Sequence, residues 1–383
     1  MPKFNGYAEG FYGKLLGWSS RFRLLTLLKS CGFNSYLYAP KEDLFHRRDW
    51  RMAYSNDWCR KFTEFTKAAN NCGVSVFAGI APGLDFDFSS LDKSYELSGD
   101  LSVLVEKAKV LRSCGAAKIV ILMDDIDSDF DTRRGQFSSE GKAHAKLVNL
   151  VGEAINEPII IVPRIYSDSL IHVDDEQSQF YLRDLMTDLN EQHFVVYCGD
   201  DIVAKRCGVD SKGYIPERRA IVWDNFYAND YSPRRLYLGP WRKRGNVDSR
   251  LLNITGMIET DSLLLKLVSE SLDYSNDEEA LTIWRRVMVD HELPVEFFDI
   301  AFYLDAPFGF KSQLKSCSQT DVLKAIEFLL WNWKSPIQLE WYSVLMGLKQ
   351  DLLIDSGQMS KERIMKTQSF PLGQTIGKFS DKN

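Results

Sequence analysis

Three stretches of this chain share one local grammar, and that repetition restricts the fold more than any other feature. Lys29-Ser30-Cys31-Gly32 precedes the β-prone run 33–38, Asn71-Cys72-Gly73 precedes 74–77, and Ser113-Cys114-Gly115 precedes 116–120. In each, a helix-periodic segment ends at Cys-Gly and a strand follows almost at once. Glycine just past a helix supplies the left-handed conformation that stops it, and a short loop then feeds the strand. The cysteines read as small core residues at helix ends. Continuing the count gives eight candidate strands, near 3–9, 35–40, 75–82, 118–125, 158–166, 193–199, 219–225 and 254–260. Helical patterns lie between them, clearest at 21–30, 56–71, 99–113, 139–155 and 179–189. Several strands are almost continuously apolar, such as Pro158-Ile159-Ile160-Ile161-Val162, as parallel strands covered on both faces must be.

Eight strand-then-helix units in one α/β chain predict a (β/α)8 TIM barrel over residues 1–275. The competing doubly wound sheet lacks its phosphate turn, because Gly10-Phe11-Tyr12-Gly13 does not have the G-x-G-x-x-G spacing. Past residue 276 the rhythm changes. Segments 277–291, 294–304, 320–333 and 336–355 read as amphipathic helices with no strands between them, with Pro294 and Pro336 suited to first turns. A C-terminal helical domain is expected over 276–356, followed by a polar, loosely ordered tail over 357–383. Its large side chains, Phe297, Phe298, Phe302, Phe328, Trp331, Trp333, Trp341 and Tyr342, need a surface to pack on, either the barrel or a second copy in a homodimer.

Charge and cysteine content exclude several functions. With 47 basic against 53 acidic residues the net charge is −6, which argues against a phosphate-tracking nucleic-acid binder. Arg234-Arg235 and Arg242-Lys243-Arg244 lie among acidic residues or turns and read as solvated faces. No apolar run approaches the roughly 18 residues of a membrane span, and the N-terminal residues lack the apolar core of a secretory signal. The seven cysteines are odd in number, scattered and without C-x-x-C spacing, which fits reduced thiols in the cytoplasm. Asp125-Ile126-Asp127-Ser128-Asp129 begins like an EF-hand loop, but Phe130 stands where glycine is needed and Gln136 where glutamate is needed, so no metal is expected. No other cofactor is implied.

In a barrel of this kind the chemistry gathers where strands end and loops begin. Those positions hold Glu9-Gly10-Phe11-Tyr12-Gly13, Pro40-Lys41-Glu42-Asp43, Pro82-Gly83-Leu84-Asp85, Asp124-Asp125, Arg164-Ile165-Tyr166, Trp223-Asp224-Asn225 and Asn229-Asp230-Tyr231. Carboxylates, amides, one lysine and aromatic rings make the inventory of a sugar site; routine loop polarity is the alternative. None of the five histidines falls at a strand end, although His46 lies in the loop after strand two. Glu9 suits orienting its loop as well as it suits proton transfer.

Asp124 and Asp125 close the apolar run Lys118-Ile119-Val120-Ile121-Leu122-Met123. Two adjacent buried carboxylates resist joint ionisation, so such a pair at a strand exit points to function, with a helix N-cap as the alternative. Adjacent strand residues face opposite sides, and both can enter one cavity only if the chain turns between them. Leaving one strand end together, they are poorly placed to flank a glycosidic bond from opposite sides. One-sided division of labour suits substrate-assisted hydrolysis, in which a 2-acetamido carbonyl attacks the anomeric carbon.

With Tyr38-Ala39-Pro40-Lys41-Glu42-Asp43, His46-Arg47, Asp124-Asp125-Ile126-Asp127 and Ala228-Asn229-Asp230-Tyr231, these motifs resemble glycoside hydrolase family 84, the O-GlcNAcases and bacterial hyaluronidase-like β-N-acetylglucosaminidases. The likeness covers the barrel, and the helical region is more weakly similar to the family's C-terminal helical domain. The resemblance implies a retaining enzyme that removes terminal β-linked N-acetylglucosamine (GlcNAc) from glycoproteins or glycosides through an oxazoline. It implies that Asp124 polarises the acetamido group and that Asp125 is general acid, then base. It places Tyr166 and Asn225 around the acetamido group, Trp223 along the pocket, and the Gly10 carbonyl, Lys41 and Asp230 on sugar hydroxyls. A departure is expected after strand eight, where the family has an asparagine and this chain, aligned at Gly256-Met257-Ile258-Glu259-Thr260, has Thr260. Losing that contact would cost about 1 kcal/mol. The alternatives are a GlcNAc-binding, lectin-like barrel of weak turnover and a hyaluronan-degrading enzyme.

Overall fold

A computed structural model describes residues 3–91, 99–126, 130–232, 235–274 and 276–360. Eight parallel strands close into a barrel in sequence order: β1 (Asn5–Glu9), β2 (Ser35–Tyr38), β3 (Ser75–Ile80), β4 (Lys118–Leu122), β5 (Ile160–Val162), β6 (Phe194–Tyr197), β7 (Ala220–Asp224) and β8 (Arg250–Leu252). β8 pairs with β1 at Asn5↔Arg250 through Tyr7↔Leu252, which completes the ring. Helices α1 (Trp18–Ser30), α2 (Asn56–Asn71), α3 (Gly99–Ser113), α4 (Glu140–Ile155) and α5 (Glu176–Asp188) fill the first five connections. α1, α2 and α3 stop as the Cys-Gly grammar requires, with Gly32, Gly73 and Gly115 at φ of 72°, 74° and 96°.

Two connections differ from the expected eight-fold repeat. Among the described residues no α-helix lies between β6 and β7 or between β7 and β8. The second difference is a correction: the eighth strand is Arg250–Leu252, and the stretch expected as strand 254–260 instead leads into α6 (Ile258–Ser271). Asp261 sets that helix start, because its carboxylate accepts from the Thr255 amide and hydroxyl and from the Gly256 amide. The β-branched residues Ile254, Thr255 and Ile258 imitate a strand, but a buried acid gathering the amides behind it is a helix-start device.

Helices α7 (Asp277–Asp290), α8 (Val295–Ile300), α9 (Gln319–Trp331) and α10 (Pro336–Asp355) follow the barrel. Asn276, Ser318 and Ser335 cap α7, α9 and α10 through their side chains, and Pro336 opens α10. The helices pack on the barrel through specific polar and aromatic contacts. Trp284 Nε1 donates to Leu238 O at 2.6 Å, and Trp341 Nε1 donates to the Thr260 hydroxyl at 2.9 Å. Positions 127–129, Arg234 and the tail beyond residue 360 lie outside the described residues.

Side-chain alternation along the strands positions the site. Phe4, Ala8, Leu37, Ala39, Val120, Leu122, Ile160, Val162, Ile221, Trp223 and Leu251 form the barrel's inner cluster, while Tyr7, Tyr36, Tyr38, Ile119 and Ile121 pack outward against the helices. With a period of two, the inward set continues past the strand ends to Gly10, Lys41, Asp124, Asn225 and Asn253.

Candidate active site

These five residues, with Tyr12, Asp125, Tyr166, Asp201, Trp223, Asp230 and several apolar neighbours, line one cavity of about 480 Å³ at the carboxyl end of the barrel. Asp124 arrives there by alternation alone, following Val120 and Leu122. Asp125 does not: strand parity would send it outward with Ile119, Ile121 and Met123. It reaches the cavity because its backbone turns into the left-handed region, at φ 51°. That conformation costs an L-residue about 1–2 kcal/mol, with aspartate among the types that tolerate it. The Arg47 guanidinium helps hold the turn by donating to the Asp125 carbonyl at 2.6 Å.

Lys41 joins the pair. Its ammonium, 2% exposed, donates to Asp124 Oδ2 and lies 3.6 Å from Asp125 Oδ2. Two carboxylates that share one cation occupy one side of the cavity, and the cation relieves their repulsion. Removing such a partner from a buried ionic cluster typically costs about 3–5 kcal/mol, because charge is left uncompensated. The Asp125 carboxylate also accepts from the Tyr12 hydroxyl at Oδ2 and the Tyr166 hydroxyl at Oδ1, each at 2.8 Å. Burial pushes the Asp125 carboxyl up, but Lys41, the two hydroxyls and Arg47 outweigh it and hold the group below its ordinary value. Burial and the facing carboxylate push both tyrosines up, so they remain protonated donors.

The opposite wall is built from two asparagines. Asn225 Oδ1 accepts from Trp223 Nε1 and from Asn253 Nδ2, both at 2.9 Å, and Asn225 Nδ2 donates to Ile202 O at 3.0 Å. Asp224, on the outward parity of the same strand, anchors this wall: Arg244 and Arg250 donate to it at 2.5 and 2.7 Å. Burial pushes that carboxyl up, but the two guanidiniums prevail and keep it well below the usual range. Gly10 cannot carry a side chain, since a Cβ there would lie 2.5 Å from the Trp223 ring. Asp230 accepts from the Tyr12 and Tyr231 amides, each at 3.0 Å, which ties the β1 loop to the β7 loop.

Two buried acceptor oxygens of the cavity lining have no hydrogen-bond partner among the described residues: Asp124 Oδ1 and Asn253 Oδ1. Each costs roughly 1–3 kcal/mol unless a donor reaches it. Both belong to the cavity lining, which therefore matches a ligand bringing N–H or O–H groups.

The structure thus brings together Gly10, Lys41, Asp124, Asp125, Tyr166, Trp223, Asn225 and Asp230. It does not bring Thr260. Thr260 lies within α6, fully buried, where its hydroxyl donates to Glu340 at 2.7 Å and accepts from Trp341. The residue expected to contact sugar instead joins α6 to α10. The amide after strand eight is present after all, as Asn253, three residues beyond the true β8 start; the misplaced strand concealed it. Tyr12 and Arg47 were also unassigned, although a tyrosine between two glycines and an arginine beside the Lys41 loop were visible signals. Glu9 proves structural: it is fully buried and bound by Arg21 at 2.8 Å through both carboxylate oxygens. His46 is buried too, its Nδ1 2.9 Å from Gly79 O, and it does not line the cavity. Among the described residues no cluster of His, Cys, Asp or Glu suits a metal ion, and no helix is long and apolar enough to cross a membrane.

Known proteins resemble this chain in sequence and in fold. Residues 5–258 match the family model for β-N-acetylglucosaminidase. Protein O-GlcNAcases of Mus musculus and Rattus norvegicus are each 31% identical over 245 residues, which is 62% of this chain and 26% of theirs. The match thus spans about a quarter of the length of these curated relatives. A Thermobaculum terrenum O-GlcNAc hydrolase superposes with a TM-score of 0.67 at 22% identity, covering 96% of this chain and 78% of that one, a likeness of fold. Two-thirds of the chain falls within one family model, and the chain belongs to the β-N-acetylglucosaminidase family of glycoside hydrolases.

Proposed function

We propose that this chain is a retaining β-N-acetylglucosaminidase of the O-GlcNAcase type, acting on terminal β-linked GlcNAc, including GlcNAc on serine or threonine. The observation that carries the reading is the one-sided carboxylate pair: Asp124 and Asp125 held on one ammonium, with Asp124 Oδ1 unpartnered. Asp124 Oδ1 accepts the acetamido N–H, which raises electron density on the acetamido oxygen. That oxygen attacks the anomeric carbon as the glycosidic C–O bond breaks, and Asp125 gives its proton to the leaving oxygen. The resulting oxazoline, whose N–H proton has passed to Asp124, is opened by water as that proton returns to nitrogen and the water's proton goes to Asp125, and two inversions give net retention. The Tyr12 and Tyr166 hydroxyls and Lys41 stabilise the Asp125 anion and so suit the second half. In the first half, the bound sugar must exclude water and loosen those contacts so that Asp125 keeps its proton.

Gly10, Lys41, Trp223, Asn225, Asp230 and Asn253 take the binding roles, with Asn253 in the place first given to Thr260. Seven free cysteines support a reducing compartment, the cytoplasm. Trp331, Leu339 and Tyr342, exposed on α9 and α10, support a homodimer contact there. The deciding experiment is hydrolysis of a fluorogenic β-GlcNAc glycoside with inhibition by a thiazoline mimic of the oxazoline. Turnover blocked by the thiazoline supports the reading; binding without turnover replaces it with a lectin-like barrel.

A further inference from the structure

The cavity's floor is polar, whereas its outer lining, apart from the exposed Asp201 carboxylate, is largely apolar. Ile202, Val203, Tyr231 and Phe308 all line the cavity, and Phe308 belongs to the segment between α8 and α9, outside the barrel. Phe308 is fully exposed (101%), Tyr231 on the same cavity is exposed too, and exposed apolar groups gathered at one cavity mark a ligand-binding groove. The segment carrying it is firmly anchored. Asp305 accepts from the Ser312 hydroxyl and the Gln313 amide at 2.5 and 2.7 Å, and its carbonyl accepts from the Gly239 amide at 3.0 Å. Phe310 packs edge-on against Phe226, with ring centroids 5.3 Å apart. Between these anchors Phe310 N donates to Pro307 O at 3.2 Å, closing a tight turn with Phe308 and Gly309 at its corner; Gly309 has the positive φ, 86°, of a type II turn. Phe310 is thereby turned onto the barrel while Phe308 stands at the cavity mouth.

We infer that Phe308 is the aglycone platform of this enzyme: with Tyr231 and the Ile202-Val203 edge it grips a planar or apolar group on the leaving side of the glycosidic bond. This rests on the reading that the cavity floor holds GlcNAc. The preferred substrates are then β-GlcNAc glycosides whose aglycone is aromatic, or peptides with an apolar side chain next to the glycosylated serine or threonine. The aglycone contact is supplied by the chain's own post-barrel turn, which the barrel alone cannot provide.

The test compares Phe308→Ala and Phe308→Trp with the wild-type chain. Substrates are 4-methylumbelliferyl β-GlcNAc and two glycopeptides, one with leucine and one with glycine beside the glycosylated serine. A thiazoline without an aglycone reports the sugar floor. In Phe308→Ala, KM for the aryl glycoside and the leucine peptide should rise about tenfold, equivalent to about 1.4 kcal/mol. kcat, the glycine peptide and the thiazoline inhibition constant should stay within about twofold, and Phe308→Trp should restore KM. Unchanged KM for the aryl and leucine substrates overturns the platform, as does an equal loss for all ligands. If the wild-type chain hydrolyses none of them, the proposed activity fails by itself; calorimetric binding of the aryl glycoside to wild type and Phe308→Ala still decides the platform.

Discussion

Replacing Asp125 with asparagine tests the division of labour most directly. The substitution keeps the shape and the left-handed turn, which asparagine tolerates as well as aspartate. It removes the transferable proton and one of the two charges on Lys41, which Asp125 meets at 3.6 Å against the closer Asp124 contact. One amide oxygen then replaces two carboxylate oxygens, so one of the Tyr12 and Tyr166 hydroxyls loses its acceptor. That loss is worth about 1 kcal/mol and bears mainly on the position of the side chain. The catalytic term is larger: general acid catalysis contributes about 10²–10⁴-fold, or about 3–5.5 kcal/mol. It applies only where the leaving oxygen needs a proton. A series of aryl β-GlcNAc glycosides of graded leaving-group acidity, assayed by kcat/KM, isolates bond cleavage from the later opening of the oxazoline. The variant should lose the full factor with poor leaving groups and little with dinitrophenyl ones, so log kcat/KM depends more steeply on leaving-group pKa. Loss of the same factor for every leaving group would refute Asp125 as the acid. Loss greatest for the best leaving group would point to acetamido attack and so to exchanged roles.

Two further outcomes follow from particular contacts. Asn253→Ala removes an unpartnered acceptor in the cavity and a support of Asn225, so it should weaken binding of GlcNAc-like inhibitors about tenfold. Thr260→Val should leave kinetics unchanged but lower stability by about 1–3 kcal/mol in denaturant titration, because it leaves Trp341 Nε1 without an acceptor and removes one of the three donors to Glu340; the reverse pattern would return Thr260 to the sugar. Burial lowers His46 to about 3 and His193 to about 4, and lowers His144 well below the ordinary value. In the unfolded chain these imidazoles take protons near pH 6.5, so below that pH the unfolded state binds more protons and stability falls as pH falls. For His46 alone the full loss is on the order of 5 kcal/mol at about 1.4 kcal/mol per unit. Calorimetry should show Tm dropping between about pH 7 and about pH 5, and a flat Tm would refute the neutral burial of these rings.

The barrel was legible because its signals are local. Cys-Gly stops, apolar strand runs and capping residues act within a few positions, and α2, α3 and α10 begin and end where the pattern puts them. β8 failed for the same reason. Three residues of strand carry little pattern, and Asp261, which makes the next segment helical, acts through backbone amides that the sequence cannot display as bonded.

For the site, strand parity in the sequence determined that Gly10, Lys41, Asp124 and Asn225 point into the barrel, because a period of two persists to the strand end. Parity alone would have turned Asp125 away. Only the tertiary structure decided that Asp125 folds back at φ 51°, that Lys41 from the loop after β2 bridges it to Asp124, and that Tyr12 and Tyr166 complete its shell. It also moved Thr260 to a helix junction and brought Phe308 to the cavity mouth. Those contacts join residues 41 to 113 positions apart or lie across separate helices. Alternation and propensity reach a few residues along the chain, whereas such pairings depend on where the closed barrel delivers each loop.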